Sequence, residues 1–141
     1  MTARTKVLFV CYGNACRSQM AEAIARHSAA DVIEASSAGL VPFGQIPRTT
    51  TEVLGERGIS ADGQSSKGLR PEDLTSADLV INMTGRSGAS IFKGGLPRSE
   101  DWDVGDPFGS DLAVYREICD QIEARVEALA RRLREQVDSP K

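Results

Sequence analysis

Two of the three cysteines in the 141-residue chain, Cys11 and Cys16, lie close together in the segment VCYGNACRSQMAE near the N-terminus. Arg17 and Ser18 follow directly, so Cys11, five further residues and Arg-Ser form one motif. A cysteine that only packs in a core does not need an arginine and a hydroxyl group beside it. A thiol close to a guanidinium group and a hydroxyl predicts a nucleophile that acts on a bound oxyanion.

The elements on either side would place this loop where anions bind. The preceding KVLFV is a short continuous apolar run, typical of a strand that is buried on both faces. The following SQMAEAIARHSA has its apolar residues on one side and predicts a helix. Free N–H groups and the helix dipole make the start of such a helix attractive to anions. Gly13 and Asn14 tolerate the backbone conformations that a curled loop requires.

Each side chain of the loop has a specific part in this hypothesis. Arg17 offers a planar fork of donors that suits two oxygens of a phosphate-like anion. The positive potential would favour the thiolate of Cys11, and Ser18 would donate a hydrogen bond to it. Tyr12 would line the wall of the pocket. A nucleotide-binding P-loop is excluded, because the segment lacks the G-K-[ST] ending and a second pair of glycines.

The rest of the chain alternates strands and helices. VIEASSAG and ADLVINM predict two more strands, RTTTEVLGERG predicts a helix that ends near Gly58, and a short fourth strand is expected before Trp102. This order predicts an α/β fold, an open parallel sheet of about four strands with helices on both faces and right-handed crossovers. Ligands of such sheets bind beyond the carboxyl ends of the strands, where the cysteine loop lies.

The clearest predicted helix is the last one. Its apolar residues recur at steps of three and four from Tyr115 to Leu133 and form one stripe along several turns. Ser110 is the candidate N-cap of this helix. Cys119 lies on the stripe, which favours core packing over redox chemistry.

Size and composition limit the classes of function. A chain of 141 residues fits one domain, residues 1–141, with a core of its own. The chain has no apolar run of the about 20 residues that a membrane helix needs and no signal peptide, so we expect a cytoplasmic protein without a membrane partner. The net charge of -3 argues against nucleic acid as a partner. The odd number of cysteines favours a reducing compartment over a secreted disulfide framework.

The motif and its position resemble the low-molecular-weight protein tyrosine phosphatase superfamily, which includes the thioredoxin-coupled arsenate reductases. A cysteine, five residues and Arg-Ser is the signature of cysteine phosphatases. SSAG at 36–39, ADLVINM at 77–83 and DPF at 106–108 are similar to the second-strand ending, the third strand and the late D-P motif of the family. The resemblance spans essentially the whole chain and implies the phosphotyrosine phosphatase I-like fold.

The resemblance implies hydrolysis in two steps. Cys11 would attack phosphorus while Arg17 and the loop N–H groups hold the other oxygens, and Asp106 would protonate the leaving oxygen. Asp106 would then act as base when water hydrolyses the phosphocysteine, and Pro107 would stiffen its loop. The expected substrate-binding residues are Tyr12, Gly13, Asn14, Ala15, Cys16, Ser18 and Phe108. No metal or other cofactor is expected, since His27 is the only histidine and no ligand set is clustered.

Two departures from the phosphatase pattern keep a reductase as the alternative. Gln19 is shared with the arsenate reductase branch, whereas typical tyrosine phosphatases of the family have RSPMAE-like sequence. Phe108 and Gly109 stand where eukaryotic members have two tyrosines. However, thioredoxin-coupled reductases carry a pair of cysteines after the third strand, and MTGRSGASIFKGGLPRSEDW contains none. We therefore favour a phosphatase of a phosphorylated protein or small phosphoester over an arsenate reductase that uses an external thiol reductant.

Two further points stay open at the level of sequence. Cys16 either packs under the loop or forms a reversible disulfide with Cys11 that protects the nucleophile from over-oxidation. A non-catalytic oxyanion-binding module is the least favoured function, because the chain retains Cys11, Arg17 and Asp106 together.

Overall fold

The sheet of the protein is parallel and has four strands. The structure, a computed structural model, describes residues 4–92 and 98–138. The strands are β1 (Thr5–Cys11), β2 (Ile33–Gly39), β3 (Leu79–Asn82) and β4 (Ser99–Asp101). Their order in the sheet is β2-β1-β3-β4. The predicted α/β fold is confirmed, and the short fourth strand ends directly before Trp102, as expected.

Five helices lie within the described residues. They are α1 (Arg17–Ser28), α2 (Arg48–Glu56), α3 (Pro71–Ser76), α4 (Gly88–Ile91) and α5 (Leu112–Asp138). The helix α2 ends close to the predicted position, since Gly58 follows it with a φ of 73°, a conformation that glycine adopts without strain. The short helices α3 and α4 were not predicted. None of the helices between residues 4 and 138, apart from the undescribed 93–97, is long and apolar enough to cross a membrane.

The order of the strands places the cysteine loop at a crevice. β1 pairs with β2 on one side, where Cys11 is opposite Gly39, and with β3 on the other side, where Val10 is opposite Asn82. The chain leaves β1 through α1 towards one neighbour and later returns to the other neighbour. The carboxyl end of β1 is therefore the switch point at which open α/β sheets bind their ligands.

The core lies on both faces of the sheet. On β1, Phe9 points into the larger cluster, which α1, α2 and α5 complete, whereas Leu8 points into a smaller one on the other face. Residues from α3 and α4, Leu74 and Ile91, pack against the smaller cluster. Because each fully buried side chain of this size contributes about 1.5–3 kcal/mol, the larger cluster supplies most of the hydrophobic stabilisation.

The N-cap of the last helix lies one residue later than predicted. The prediction that Ser110 is the N-cap is wrong, because the side chain of Asp111 accepts a hydrogen bond from the N–H group of Val114 at 3.1 Å. Both residue types cap helices well, so the local sequence did not separate them. The apolar stripe is confirmed as core, and Cys119 is fully buried within it. Burial raises the pKa of the Cys119 thiol to about 11.

Candidate active site

The loop between β1 and α1 has all its carbonyl groups engaged. Each carbonyl from Tyr12 to Cys16 accepts a hydrogen bond of 2.9–3.2 Å from another part of the chain. The donors, in loop order, are the N–H groups of Val41 and Phe43, the side chains of Gln19 and Thr50, and the N–H group of Met20. These contacts come from the segment after β2, from α1 and from α2. They fix the loop backbone without using its N–H groups.

The N–H groups of the same loop are left free. Among residues 4–92 and 98–138, the main-chain N–H groups from Gly13 to Cys16 donate to no protein acceptor. Helix α1 also has no side-chain cap and no acidic residue in its first turn. A curled backbone with free N–H groups at a helix N-terminus is a binding site for an anion. The predicted anion cradle is thus present in the backbone itself.

The curl depends on two residues with unusual freedom. Asn14 has a φ of 49°, and it is the only non-glycine residue in the described part of the chain with a positive φ. Gly39, at the end of β2, lies against this turn, because a Cβ atom at Gly39 would come within 2.6 Å of the main-chain nitrogen of Asn14. The tolerance of asparagine for left-handed backbone was predicted for Asn14. The requirement for glycine at 39 comes from the close contact between the end of β2 and the loop after β1.

A hydroxyl group lies directly beside the sulfur of Cys11. The Sγ atom of Cys11 is 2.9 Å from Oγ of Ser18, and Nδ2 of Asn14 donates to the same hydroxyl oxygen at 2.7 Å. All three side chains are buried, with 2% or less of each residue exposed. The structure therefore brings the predicted nucleophile and its predicted hydroxyl partner together, and Asn14 donates a hydrogen bond to that hydroxyl.

Arg17 is buried and aimed at the same place. Only 5% of the residue is exposed, and Nη1 donates to the main-chain carbonyls of Met83 and Val104, the latter at 3.3 Å. These bonds anchor one side of the guanidinium group. Its Nε atom is the one buried side-chain nitrogen or oxygen without a hydrogen-bond partner among the described residues. An unpaired buried donor is costly, so a bound oxyanion that accepts from Nε would satisfy it.

Asp106 is the second charged group at this site. Its Oδ2 atom lies 3.5 Å from Nη2 of Arg17, and its Oδ1 accepts from the N–H group of Phe108 at 3.1 Å. The carboxylate is half-exposed, with 49% of its side chain accessible. The D-P motif, 89 residues further along the chain than Arg17, thus reaches the cradle as the resemblance implied.

The chain matches a known protein family over nearly its whole length. The family described as low molecular weight phosphotyrosine protein phosphatase matches residues 6–139 of the chain. The chain belongs to this family. The resemblance stated from the motifs is confirmed, and the four-stranded sheet is the sheet of its structural neighbours in the phosphatase family.

Members of the phosphatase family with different names are about equally similar to this chain. The glutaredoxin arsenate reductase of Synechocystis sp. is 36% identical, over 88% of this chain and 95% of that protein. The protein-arginine-phosphatase of Geobacillus stearothermophilus is 32% identical, over 91% of this chain and 95% of that protein. The structure of a low-molecular-weight protein tyrosine phosphatase from T. tengcongensis aligns with a TM-score of 0.83 at 33% identity, over 92% and 99% of the two chains. Family membership thus supports an enzyme that is either a phosphatase or an arsenate reductase.

Aromatic rings border the site of this phosphatase-family chain. The ring of Phe43 lies over Gly13, where a Cβ atom would come within 2.8 Å of it. Its centroid is 4.8 Å from that of Phe108 and 6.3 Å from that of Tyr12. All three rings are 40–52% exposed, so they offer apolar surface to a ligand in the cradle. Phe43 was not among the predicted site residues, although it lies just after the carboxyl end of β2, where ligands of such sheets bind.

Cys16 lies under the loop. It is 3% exposed, and its Sγ atom is 3.5 Å from the hydroxyl oxygen of Tyr115 on α5. Burial raises the pKa of the Cys16 thiol, and hydrogen bonds to Tyr115 and Thr50 offset part of that rise. Cys11 and Cys16 are both free thiols in this structure of a phosphatase-family member. The reversible disulfide between them stays a prediction.

Proposed function

We propose that the protein is a phosphatase that hydrolyses phosphotyrosine or related phosphomonoesters through a phosphocysteine intermediate on Cys11. The observation that carries this proposal is the loop beside the buried thiol of Cys11, whose carbonyls are all engaged and whose N–H groups from Gly13 to Cys16 have no acceptor among the described residues. A tetrahedral or trigonal oxyanion with several oxygens is the ligand that such a set of donors suits.

In the first step, the thiolate of Cys11 attacks phosphorus and the bond from phosphorus to the ester oxygen breaks. The loop N–H groups and Nε of Arg17 donate to the three remaining oxygens, where charge develops in the transition state. Asp106 gives its proton to the leaving oxygen, so that an alcohol or phenol departs. Its position 3.5 Å from Nη2 of Arg17 supports this role, because the carboxyl group stands at the edge of the phosphate site.

In the second step, water attacks phosphorus and the bond from sulfur to phosphorus breaks. Asp106, now a carboxylate, takes the proton from that water, and inorganic phosphate leaves. The departing group is the thiolate of Cys11, which the hydroxyl of Ser18 at 2.9 Å can stabilise by a hydrogen bond. The cradle supplies all the positive charge that these steps need.

The three rings beside the cradle favour an aromatic leaving group. Tyr12, Phe43 and Phe108 are exposed and lie next to the loop or next to the acid. A phenyl ring bound in the cradle by its phosphate would bury apolar area against them, and such ring pairs add about 0.5–1.5 kcal/mol each. Aryl phosphates, with phosphotyrosine as the natural example, are therefore the substrates we propose.

A second candidate is reduction of arsenate with an external thiol. It is supported by Gln19, shared with the arsenate reductase branch, and by the 36% identity to a glutaredoxin arsenate reductase. Cys11 would displace hydroxide from arsenate, and an external thiol would attack the Cys11 sulfur. Arsenite would then leave with the bonding electron pair, and a second external thiol would reduce the mixed disulfide. The segment after β3 has no cysteine that could replace the external thiol.

One pair of assays separates these candidates. The purified protein is tested for hydrolysis of p-nitrophenyl phosphate and for arsenate-dependent oxidation of glutathione and of glutaredoxin, with the Cys11→Ser variant in parallel. We expect rapid hydrolysis that is lost by several orders of magnitude in Cys11→Ser, while inorganic phosphate still binds to the variant. Arsenate-dependent thiol oxidation with only feeble hydrolysis would favour the reductase. If neither activity is found and phosphate does not protect Cys11 from alkylation, both the phosphatase and the arsenate reductase are rejected.

A further inference from the structure

A surface segment outside the sequence motif contacts the cysteine loop at successive residues. This segment, residues 64–67, lies between α2 and α3. The hydroxyl of Ser66 donates to the carbonyl of Gly13 at 3.1 Å, and the N–H group of Lys67 donates to Oδ1 of Asn14 at 2.8 Å. The 64–67 segment therefore holds the loop from outside, and it has no part in the chemistry described so far.

The contact with Lys67 settles which way the amide of Asn14 faces. A main-chain N–H group can only donate, so the atom of Asn14 that it meets must be the oxygen. The amide nitrogen of Asn14 then faces Oγ of Ser18 at 2.7 Å, and that nitrogen cannot accept a hydrogen bond. Ser18 must therefore accept from Asn14, and its own proton is free for the sulfur of Cys11 at 2.9 Å.

The same reasoning extends outwards through two glutamine side chains. Nε2 of Gln19 lies 3.0 Å from the carbonyls of both Asn14 and Ser65, so this atom is the nitrogen, and it also donates to Oδ1 of Asn14 at 2.9 Å. Oε1 of Gln19 accepts from Nε2 of Gln64 at 2.7 Å. Gln64 is oriented in turn by the main-chain carbonyl of Gln19, 3.2 Å from the same nitrogen. A main-chain contact thus identifies the oxygen and the nitrogen of each of these three amides.

We propose that Gln64 and Gln19 are positioning residues that, together with the N–H group of Lys67, hold Asn14 in the orientation in which the hydroxyl of Ser18 donates to the sulfur of Cys11. The hydrogen bonds then run in one direction from Gln64 to Cys11, and each donation strengthens the next. A hydroxyl that must donate stabilises the thiolate both before attack and as a leaving group. This inference rests on the proposed function, in which Cys11 is the nucleophile.

The test removes one outer donor at a time and measures the reactivity of the Cys11 thiol directly, without any substrate turnover. Gln64→Leu and Gln19→Leu are compared with the parent by the rate at which iodoacetamide alkylates Cys11 at mildly acidic pH, located by peptide mass spectrometry. The dissociation constant of inorganic phosphate is measured alongside. We expect alkylation to slow by about 2- to 10-fold in both variants, as for the loss of one hydrogen bond. Phosphate binding should stay unchanged in Gln64→Leu, whereas Gln19→Leu also removes the donor to the carbonyl of Asn14 in the cradle. Arg17, Asp106 and Cys16, the charged and titratable groups around Cys11, are the same in all these proteins.

A double mutant separates a positioning role from a structural one. Because Gln64 acts through Ser18, Gln64→Leu should have no further effect on alkylation in a Ser18→Ala background. Gln121→Leu, the same substitution at an exposed position of α5, should leave alkylation unchanged. An unaltered alkylation rate in folded Gln64→Leu would overturn the proposal. An effect of Gln64→Leu that is equal in size with and without Ser18, or a parallel loss of phosphate binding in Gln64→Leu, would overturn it as well.

Failure of the proposed function gives a different pattern. If the parent protein hydrolyses no phosphoester, and Gln64→Leu still slows alkylation through Ser18, the phosphatase is rejected and the positioning role stands. If the parent protein hydrolyses aryl phosphates rapidly and alkylation in Gln64→Leu equals that of the parent, the phosphatase stands and the positioning role is rejected.

Discussion

The loop that carries Cys11 is buried and held by hydrogen bonds along its length, whereas the loop that carries Asp106 is half-exposed and held by few contacts. Every carbonyl from Tyr12 to Cys16 has a donor, and the 64–67 segment adds further bonds from outside. Asp106 is positioned by the ion pair with Arg17 and by the N–H group of Phe108. The two loops nevertheless meet at one guanidinium group.

This difference fits the different demands on the two loops. Donors that stabilise charge in a transition state act best when they are already in place, which requires a rigid backbone around Cys11. A general acid must reach leaving groups of different shape and must exchange its proton with solvent between the two steps. A half-exposed carboxylate meets that requirement. Substitutions in the two loops should therefore change different quantities, and each of the following predictions tests that separation.

Among the substitutions that compare the two loops, the largest effect is expected from Asp106→Asn. The amide cannot donate a proton as an acid, so turnover of aryl phosphates with poor leaving groups should fall by roughly 10²- to 10⁴-fold. Substrates with good leaving groups should lose far less, because their oxygen departs without a proton. The measurement is kcat across a series of aryl phosphates of rising phenol acidity, with phosphate inhibition as control. Equal losses across the series would contradict the assignment of Asp106 as the acid.

Arg17→Lys should reduce turnover of all these substrates alike. Lysine keeps the charge but loses the planar fork and the Nε donor, so we expect a drop of about 10²- to 10³-fold in kcat/KM together with weaker phosphate inhibition. The matched control is Arg132→Lys, a half-exposed arginine paired with Glu100 on the surface, which should change neither quantity. If Arg17→Lys stays within a few-fold of the parent, the guanidinium fork is not what binds the anion.

The cysteine loop was predictable from the sequence because its signals are local. The buried strand, the curling residues Gly13 and Asn14 and the helix start are adjacent in the chain, so Cys11 and Ser18 were expected to meet. Asp106 has no local signal of that kind, and its place rested on the resemblance. The structure now puts it beside Arg17.

The remaining features depend on contacts that no short segment encodes. Phe43 contacts Gly13 from 30 residues further along the chain, and Gln64 contacts Gln19 from 45 residues further along. The place of Phe43 just after β2 is a weak signal, and nothing in the residues beside Gln64 marks it. The short helices α3 and α4 have six and four residues, too few to display a helical period. The cap of α5 was misplaced from Asp111 to Ser110 because the two neighbours compete on equal chemical terms.

Gly39→Ala should damage the cysteine loop selectively. The added methyl group would lie 2.6 Å from the main-chain nitrogen of Asn14, where neither partner is a flexible side chain, so we expect a loss of stability of about 1–3 kcal/mol. Phosphate affinity should fall at the same time, because the cradle itself is displaced. Gly55→Ala is the control: no atom lies within 4 Å of its added methyl group, and alanine in helix α2 should stabilise by about 0.5–1 kcal/mol. Thermal unfolding and phosphate titration measure both effects, and unchanged phosphate binding in Gly39→Ala would show that the loop is less rigid than we infer.

The smallest expected effect tests the surface where the two loops meet. Phe43 contacts Gly13 in the cysteine loop and lies 4.8 Å, centroid to centroid, from Phe108 in the acid loop. Phe43→Ala should raise KM for aryl phosphates by about 2- to 10-fold, the equivalent of one aromatic contact, and leave kcat nearly unchanged. The inhibition constant of inorganic phosphate, which has no ring, is the control for damage to the cradle. A rise in KM that is equally large for alkyl phosphates would mean that Phe43 supports the loop rather than the ring of the substrate. A rise confined to aryl phosphates would make this ring the part of the site that selects substrates, while the cradle beneath it binds the phosphate common to all of them.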